Sequence, residues 1–281
     1  MPPVTVYEPA TSENTTHLLV TTDWLARHLS DPALRIVDTR KGDGYEAAHI
    51  PGAVALGTSP LLHDAGDVIE SEAFEALMSR LGVGKDTMVI AYDDGNNLFA
   101  ARLWWVLNYY GHDKVRVLDG GWDLWVAENR SIDCESLTPV PAQFEPRRNP
   151  ALIVDTDYVF GSLQKPESQI LDVRGNAEWS RTESTGPTAP GHIPGAVHLV
   201  WSDVIDPKSH RFKPPGELNR MFREVGLRPE NEVITYCQGG IRAAHTVFAL
   251  SLAGFPVVKN YEGSWSVWSR AKSPISLNAT S

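Results

Sequence analysis

LLVTTDWLARHLSDPALRIVDTR, residues 18–40, returns as LIVDTDYVFGSLQKPESQILDVR at residues 152–174. The offset of 134 pairs Asp23 with Asp157, Asp38 with Asp172 and Arg40 with Arg174. A repeat of this kind fixes the architecture before any motif is read. Beyond Arg174 the offset widens. AHIPGAVAL around His49 matches GHIPGAVHL around His192 at 143, so the second copy has gained nine residues, a stretch that contains Arg181. MVIAYDDGNNLFAARL from Met88 pairs with EVITYCQGGIRAAHTV from Glu232 at 144, and LDGGWDLW pairs with NYEGSWSVW at 143. Asp93 therefore stands where the second copy has Cys237.

The two copies span residues 17–137 and 151–275, joined by TPVPAQFEPRRNP at 138–150. Its four prolines suit an extended linker and no helix or central strand. Within each copy, β-branched runs (RIVDTR, MVIAYD, VRVLDG; then QILDVR, EVITYC, VVKNYEG) alternate with helical patterns such as SEAFEALMSRLG and AAHTVFALSLAGF. Strands alternating with helices predict an α/β fold: two tandem domains, each a parallel sheet flanked by helices on both faces. Gly82, Gly111, Gly226 and Gly254 each close a helical run, where a cap with positive φ is expected.

Composition narrows the function. A chain of 281 residues suits two cores of roughly 130 residues each. Apolar residues make up 42%, yet runs such as AARLWWVL fall far short of the roughly 20 residues that span a bilayer. The opening MPPVTVYEPATSENTT has neither a basic nor an apolar targeting region, so a cytoplasmic location is expected. The only two cysteines, Cys134 and Cys237, lie in different halves, which excludes a disulfide framework and a multi-cysteine metal site. A net charge of -10 argues against nucleic acid or an anionic membrane as partner. An anionic substrate must then meet a local cluster of arginines.

VITYCQGGIRAAHTVFALSLAGF puts Cys237 after an apolar strand and before a helix that begins near Arg242. A loop closing onto a helix N-terminus beyond a strand's carboxyl end points several backbone N–H groups inward, where an anion is held. The same field favours a thiolate and makes the sulfur nucleophilic. Gly239 and Gly240 let the loop curl around it. A buried apolar role for Cys237 is the competing reading; the glycines, the closing arginine and the Asp93 counterpart, with Asp94, Asn96 and Asn97 around it, weigh against it.

The duplicated IVDTR and ILDVR strands, the paired HIPGAV segments and the six-residue loop CQGGIR resemble the rhodanese family of tandem-domain sulfurtransferases, over nearly the whole chain. The resemblance implies a catalytic C-terminal domain and a non-catalytic N-terminal one. It implies a double displacement in which a small-molecule donor leaves its sulfane sulfur on Cys237 as a persulfide, and cyanide or a thiol accepts it. No metal or organic cofactor is implied. Substrate contacts are expected from Gln238, Gly239, Gly240 and Ile241 of the loop, from Arg174, whose family equivalent reaches the pocket, from Arg181, and from Arg242. Arg242 alternatively pairs with Glu262 or Asp172. Asp38, Asp172, His49 and His192 are read as structural, Trp122, Trp125, Trp265 and Trp268 as packing, and Cys134 as a bystander.

The donor divides two ways. Thiosulfate-using members resemble CRKGVT, and Gln238 and Gly239 supply neither cation; mercaptopyruvate-using members resemble CGSGVT, and Gly239 replaces that serine. The three arginines favour thiosulfate, a compact dianion. A cysteine-dependent phosphatase is a rival, but Arg242 follows the thiol by five positions where a phosphate loop needs six. A non-catalytic binding module would carry a degraded loop, as only the first copy does.

Overall fold

The structure, a computed structural model, describes residues 18–61, 67–180, 189–271 and 273–277. The chain forms two compact units. One comprises His17–Pro150 with Ile205–Phe212; the other takes in Ala151–Val204 and Lys213–Ser281.

In the N-terminal unit the elements run β1 (Leu19–Val20), α1 (Thr22–His28), β2 (Leu34–Asp38), α2 (Gly44–Ala47), β3 (Ala53–Ala55), α3 (Ser71–Arg80), β4 (Met88–Tyr92), α4 (Leu98–Tyr109), β5 (Val115–Leu118) and α5 (Gly121–Ala127). The strands form one parallel sheet in the order β1-β5-β4-β2-β3. Ile36, Ile90 and Leu118 pack on one face with Leu25 of α1 and Trp125 of α5. Alternation along the strands turns Val89, Ala91 and Val117 to the other face, where α4 packs on β4 and β5. Both faces are thereby covered, as a parallel sheet requires.

The C-terminal unit repeats the plan: β6 (Ile153–Val154), α6 (Thr156–Ser162), β7 (Ser168–Asp172), α7 (Asn176–Trp179), β8 (Val197–His198), α8 (Pro215–Glu224), β9 (Glu232–Tyr236), α9 (Ile241–Leu252), β10 (Val258–Tyr261) and α10 (Ser264–Trp268). Its parallel sheet has the order β6-β10-β9-β7-β8. Ile170, Ile234 and Tyr261 join Val159, Trp265 and Trp268 in its core. Strand β9 lies beside its chain successor β10 on one side, while its chain predecessor β8 lies beyond β7 on the other, so the connections leave it in opposite directions and a crevice opens at its carboxyl end.

The alternation read from the sequence is present in both units. Gly82, Gly111, Gly226 and Gly254 have φ of 73°, 80°, 94° and 83° at their helix ends. The proline-rich segment has neither helix nor strand up to Asn149, but it is not a loose tether. Ala142 and Arg147 donate their N–H groups to the Ser79 and Tyr110 carbonyls, both at 2.9 Å, and Phe144 is buried.

Candidate active site

Cys237 directly follows β9, is 2% exposed, and begins the turn that α9 continues from Ile241. Gly240 has φ of 87°, and a Cβ there would sit 2.6 Å from the Glu262 carboxylate, so only glycine fits. Asn260 Nδ2 donates to the Gly240 carbonyl at 3.1 Å and to Glu262 Oε2 at 2.7 Å. From the other side the start of α10 grips the turn. Ser264 Oγ accepts the N–H groups of Cys237 and Gly240, both at 3.1 Å, and donates to the Tyr261 carbonyl at 2.8 Å. Trp265 and Ser266 donate to the Cys237 and Gln238 carbonyls at 3.0 Å, while Gln238 Nε2 donates to Ser266 Oγ at 2.9 Å. Among the described residues, the N–H groups of Gly239, Ile241 and Ala243 meet no acceptor.

The first unit shows what such a ring of donors does. The Asp93 carboxylate accepts N–H groups from Gly95 and Asn97 at 2.9 Å, Phe99 at 2.6 Å and Ala100 at 3.0 Å. In the repeat register, Gly95, Asn97 and Phe99 correspond to Gly239, Ile241 and Ala243. The loop architecture thus encloses an anion. Burial pushes the Asp93 carboxyl up to about 6 even against the pull of those donors.

The arginines fall into three situations. Arg242, in the first turn of α9, donates from Nη1 to Glu178 Oε2 at 2.7 Å and from Nη2 to Glu178 Oε1 at 2.9 Å. Burial disfavours its charge, but Glu178 and Cys237 more than offset that and hold it above the usual arginine range. Burial likewise opposes ionisation of Glu178, and Arg242, the Gly175 N–H and Arg174 bring its carboxyl below the usual glutamate range. The partner of Arg242 is therefore neither Glu262 nor Asp172.

Arg174 is not where the sequence reading put it. It is 1% exposed, its Nε and Nη2 bind Asp172 at 2.6–3.1 Å, Nη2 also donates to the Gly191 carbonyl at 2.9 Å, and its guanidinium lies 4.6 Å from the Trp265 ring. Arg40 repeats this arrangement on Asp38, Ala48 and Trp122 in the unit without a thiol. An arginine two residues after an aspartate at a strand end folds back onto it, fastening the turn that follows. Arg181 lies outside the described residues.

His49 and His192 pair through their backbones with Asp133 and Ser276, in keeping with a role in the turn. Trp125, Trp265 and Trp268 are fully buried, and Cys134 is exposed. Among the described residues no group of three or more His, Cys, Asp or Glu could hold a metal ion, and no helix is long and apolar enough to cross a membrane. Sequence reasoning missed Glu178 and Ser264. The replacement of Gly121 by Ser264 in the repeat was the available signal for the second; four-residue spacing from Arg174 was a weak one for the first.

The family described as Rhodanese-like domain matches residues 21–128 and 156–271. The thiosulfate sulfurtransferase of Corynebacterium glutamicum is 37% identical over 270 residues, 89% of this chain and 87% of that protein. The 3-mercaptopyruvate sulfurtransferase of Escherichia coli strain K12 is 33% identical over 273 residues, covering 90% and 95%. The crystal structure of SseA from Escherichia coli, described with the rhodanese fold of 3-mercaptopyruvate sulfotransferases, superposes with a TM-score of 0.80 at 30% identity, covering 89% of this chain and 99% of that one. Wild-type EanB, 23% identical, shares the fold with a TM-score of 0.84.

Proposed function

The chain belongs to the rhodanese family, and from that premise we propose that it is a sulfurtransferase in which Cys237 carries the transferred sulfur. One observation carries the reading: Cys237 occupies, in the C-terminal unit, the place whose counterpart holds the Asp93 carboxylate in a ring of backbone N–H groups. Three of the corresponding donors, on Gly239, Ile241 and Ala243, face no acceptor among the described residues. They suit a thiolate and, after transfer, the outer sulfur of a persulfide.

Thiosulfate serves as one donor. The Cys237 thiolate attacks the sulfane sulfur, the new S–S bond forms, and sulfite leaves with the electron pair of the bond that breaks. Cyanide or a thiol then attacks the outer sulfur, and the Cys237 thiolate departs with the electrons of its S–S bond. Gln238, Gly239, Gly240 and Ile241 shape the turn that receives the donor, and Arg242 orients it from the rim. Residues 151–275 form the catalytic domain and residues 17–137 the non-catalytic one, with Asp93 in the place of the nucleophile. Two free cysteines suit the reducing cytoplasm. A second reading, 3-mercaptopyruvate as donor, is favoured by Glu178, which cancels the charge of Arg242. Thiocyanate release from thiosulfate and cyanide, compared between the parent protein and Cys237→Ser, tests the proposal; equal turnover in the two would end it.

A further inference from the structure

The two arginines of the described residues that make a dianionic donor attractive, Arg174 and Arg242, do not carry uncompensated charge. Arg174 is neutralised by Asp172 in a pair that is almost fully buried. Arg242 is neutralised by Glu178 through two parallel hydrogen bonds, the arrangement that binds a guanidinium most firmly. Glu178 is itself anchored: it is the last-but-one residue of α7, and its Oε2 accepts the Gly175 N–H at 3.0 Å as well as Nη1 of Arg242. The two side chains are 22% and 35% exposed, at the rim and not in the core, so an incoming donor meets them as a pair. Among the described residues, what attracts an anion at the sulfur is the set of N–H dipoles on Gly239, Ile241 and Ala243, which suit one compact negative centre, as their counterparts hold Asp93.

We propose that Glu178 is a specificity-determining residue that selects sulfur donors by charge: it keeps the Arg242 N–H groups aimed at Cys237 while cancelling their cation, so that donors with one negative charge are accepted and a dianion is penalised. The inference rests on the reading of Cys237 as sulfur carrier. A donor that reaches Cys237 meets the field of Arg242 and, with it, that of the Glu178 carboxylate bonded to it at 2.7 and 2.9 Å. At that separation, in a partly wetted site, one further negative charge on the donor is disfavoured roughly five- to tenfold. The thiolate adds to this penalty.

The test compares the parent protein with Glu178→Gln and Glu178→Asp, using thiosulfate as the dianionic and 3-mercaptopyruvate as the monoanionic donor, with the acceptor fixed. Glu178→Gln keeps an acceptor for Arg242 and removes the charge. The ratio of kcat/KM for thiosulfate to that for 3-mercaptopyruvate is expected to rise about five- to tenfold, through KM. Glu178→Asp keeps the charge and is expected to restore the parent ratio. A Glu178→Gln variant whose two donors change in equal proportion, or whose kcat falls alike for both, would reduce Glu178 to a structural clamp and overturn the inference. Intact mass measured alongside separates the other failure: if the parent protein gains no sulfur at Cys237 from either donor, the sulfur-carrier reading falls first and this one with it.

Discussion

Ser264 is the residue on which the geometry of the thiol loop turns, and its replacement gives a prediction that can be worked through from contacts. It is fully buried, has φ of 49°, and its hydroxyl is the acceptor for both the Cys237 and Gly240 N–H groups. Ser264→Ala leaves two buried donors without a partner, each worth roughly 1–3 kcal/mol. The left-handed backbone persists, because alanine has the same Cβ. The expected loss is therefore about 2–6 kcal/mol for the C-terminal unit, a large part of the roughly 5–15 kcal/mol that stabilises a domain. Ser264→Gly loses the same hydrogen bonds but relieves about 1 kcal/mol of backbone strain, as Gly121 does at the equivalent place. The order of stability should be parent, then Ser264→Gly, then Ser264→Ala. Denaturant unfolding measures the differences, and hydrogen exchange at the Cys237 and Gly240 amides reports the loop directly. Turnover should fall about 10- to 100-fold in both variants as the sulfur loses its fixed position. A Ser264→Ala protein within about 0.5 kcal/mol of the parent, with both amides still protected, would refute the reasoning.

Three further outcomes follow from other parts of the structure. Arg242→Ala leaves the Glu178 carboxylate uncompensated beside the thiol and should lower kcat/KM for thiosulfate roughly 10- to 150-fold; steady-state kinetics with normal values would remove Arg242 from the site. Burial raises the Asp119 carboxyl to about 6, against the Phe212 N–H at 3.1 Å and the charge of Arg211, so the folded state favours its protonated form. That contribution is present in full below about pH 4 and is lost as pH rises through about 6, so the stability of the parent relative to Asp119→Asn should fall by about 2–3 kcal/mol over that window; unfolding curves whose difference is flat or rises from pH 4 to 7 would contradict it. Cys134→Ser should leave turnover within about twofold of the parent, since that thiol is exposed and outside the strand-to-helix turn; a large loss would mean that a second thiol takes part.

The fold was legible because its signals are periodic and duplicated. RIVD and QILD, MVIAY and EVITY each recur with the helix that must follow, and a parallel sheet is the arrangement that accommodates them. The place of Cys237 between β9 and α9 was legible for a related reason: a cysteine, two glycines and an arginine sit where a strand hands over to a helix. Arg174 was misplaced because its partner is only two residues away, a contact that spacing along a strand does not suggest; its recurrence as Arg40 beside a thiol-less loop was the warning. Glu178 was hidden because α7 is a single turn of four residues, too short for periodicity to orient, and its bond to Arg242 spans 64 positions. Ser264 was hidden because its role depends on a positive φ, which sequence patterns signal for glycine and not for serine.

The central claim is that Cys237 carries the sulfur, and intact mass spectrometry with peptide mapping tests it most directly. The parent protein is incubated with thiosulfate and, separately, with 3-mercaptopyruvate, then discharged with cyanide. The account predicts a gain of one sulfur atom on the Cys237 peptide, none on the Cys134 peptide, loss of that sulfur as thiocyanate, and no gain in Cys237→Ser. Added sulfur on any other residue, or thiocyanate formation by the Cys237→Ser protein, would contradict it.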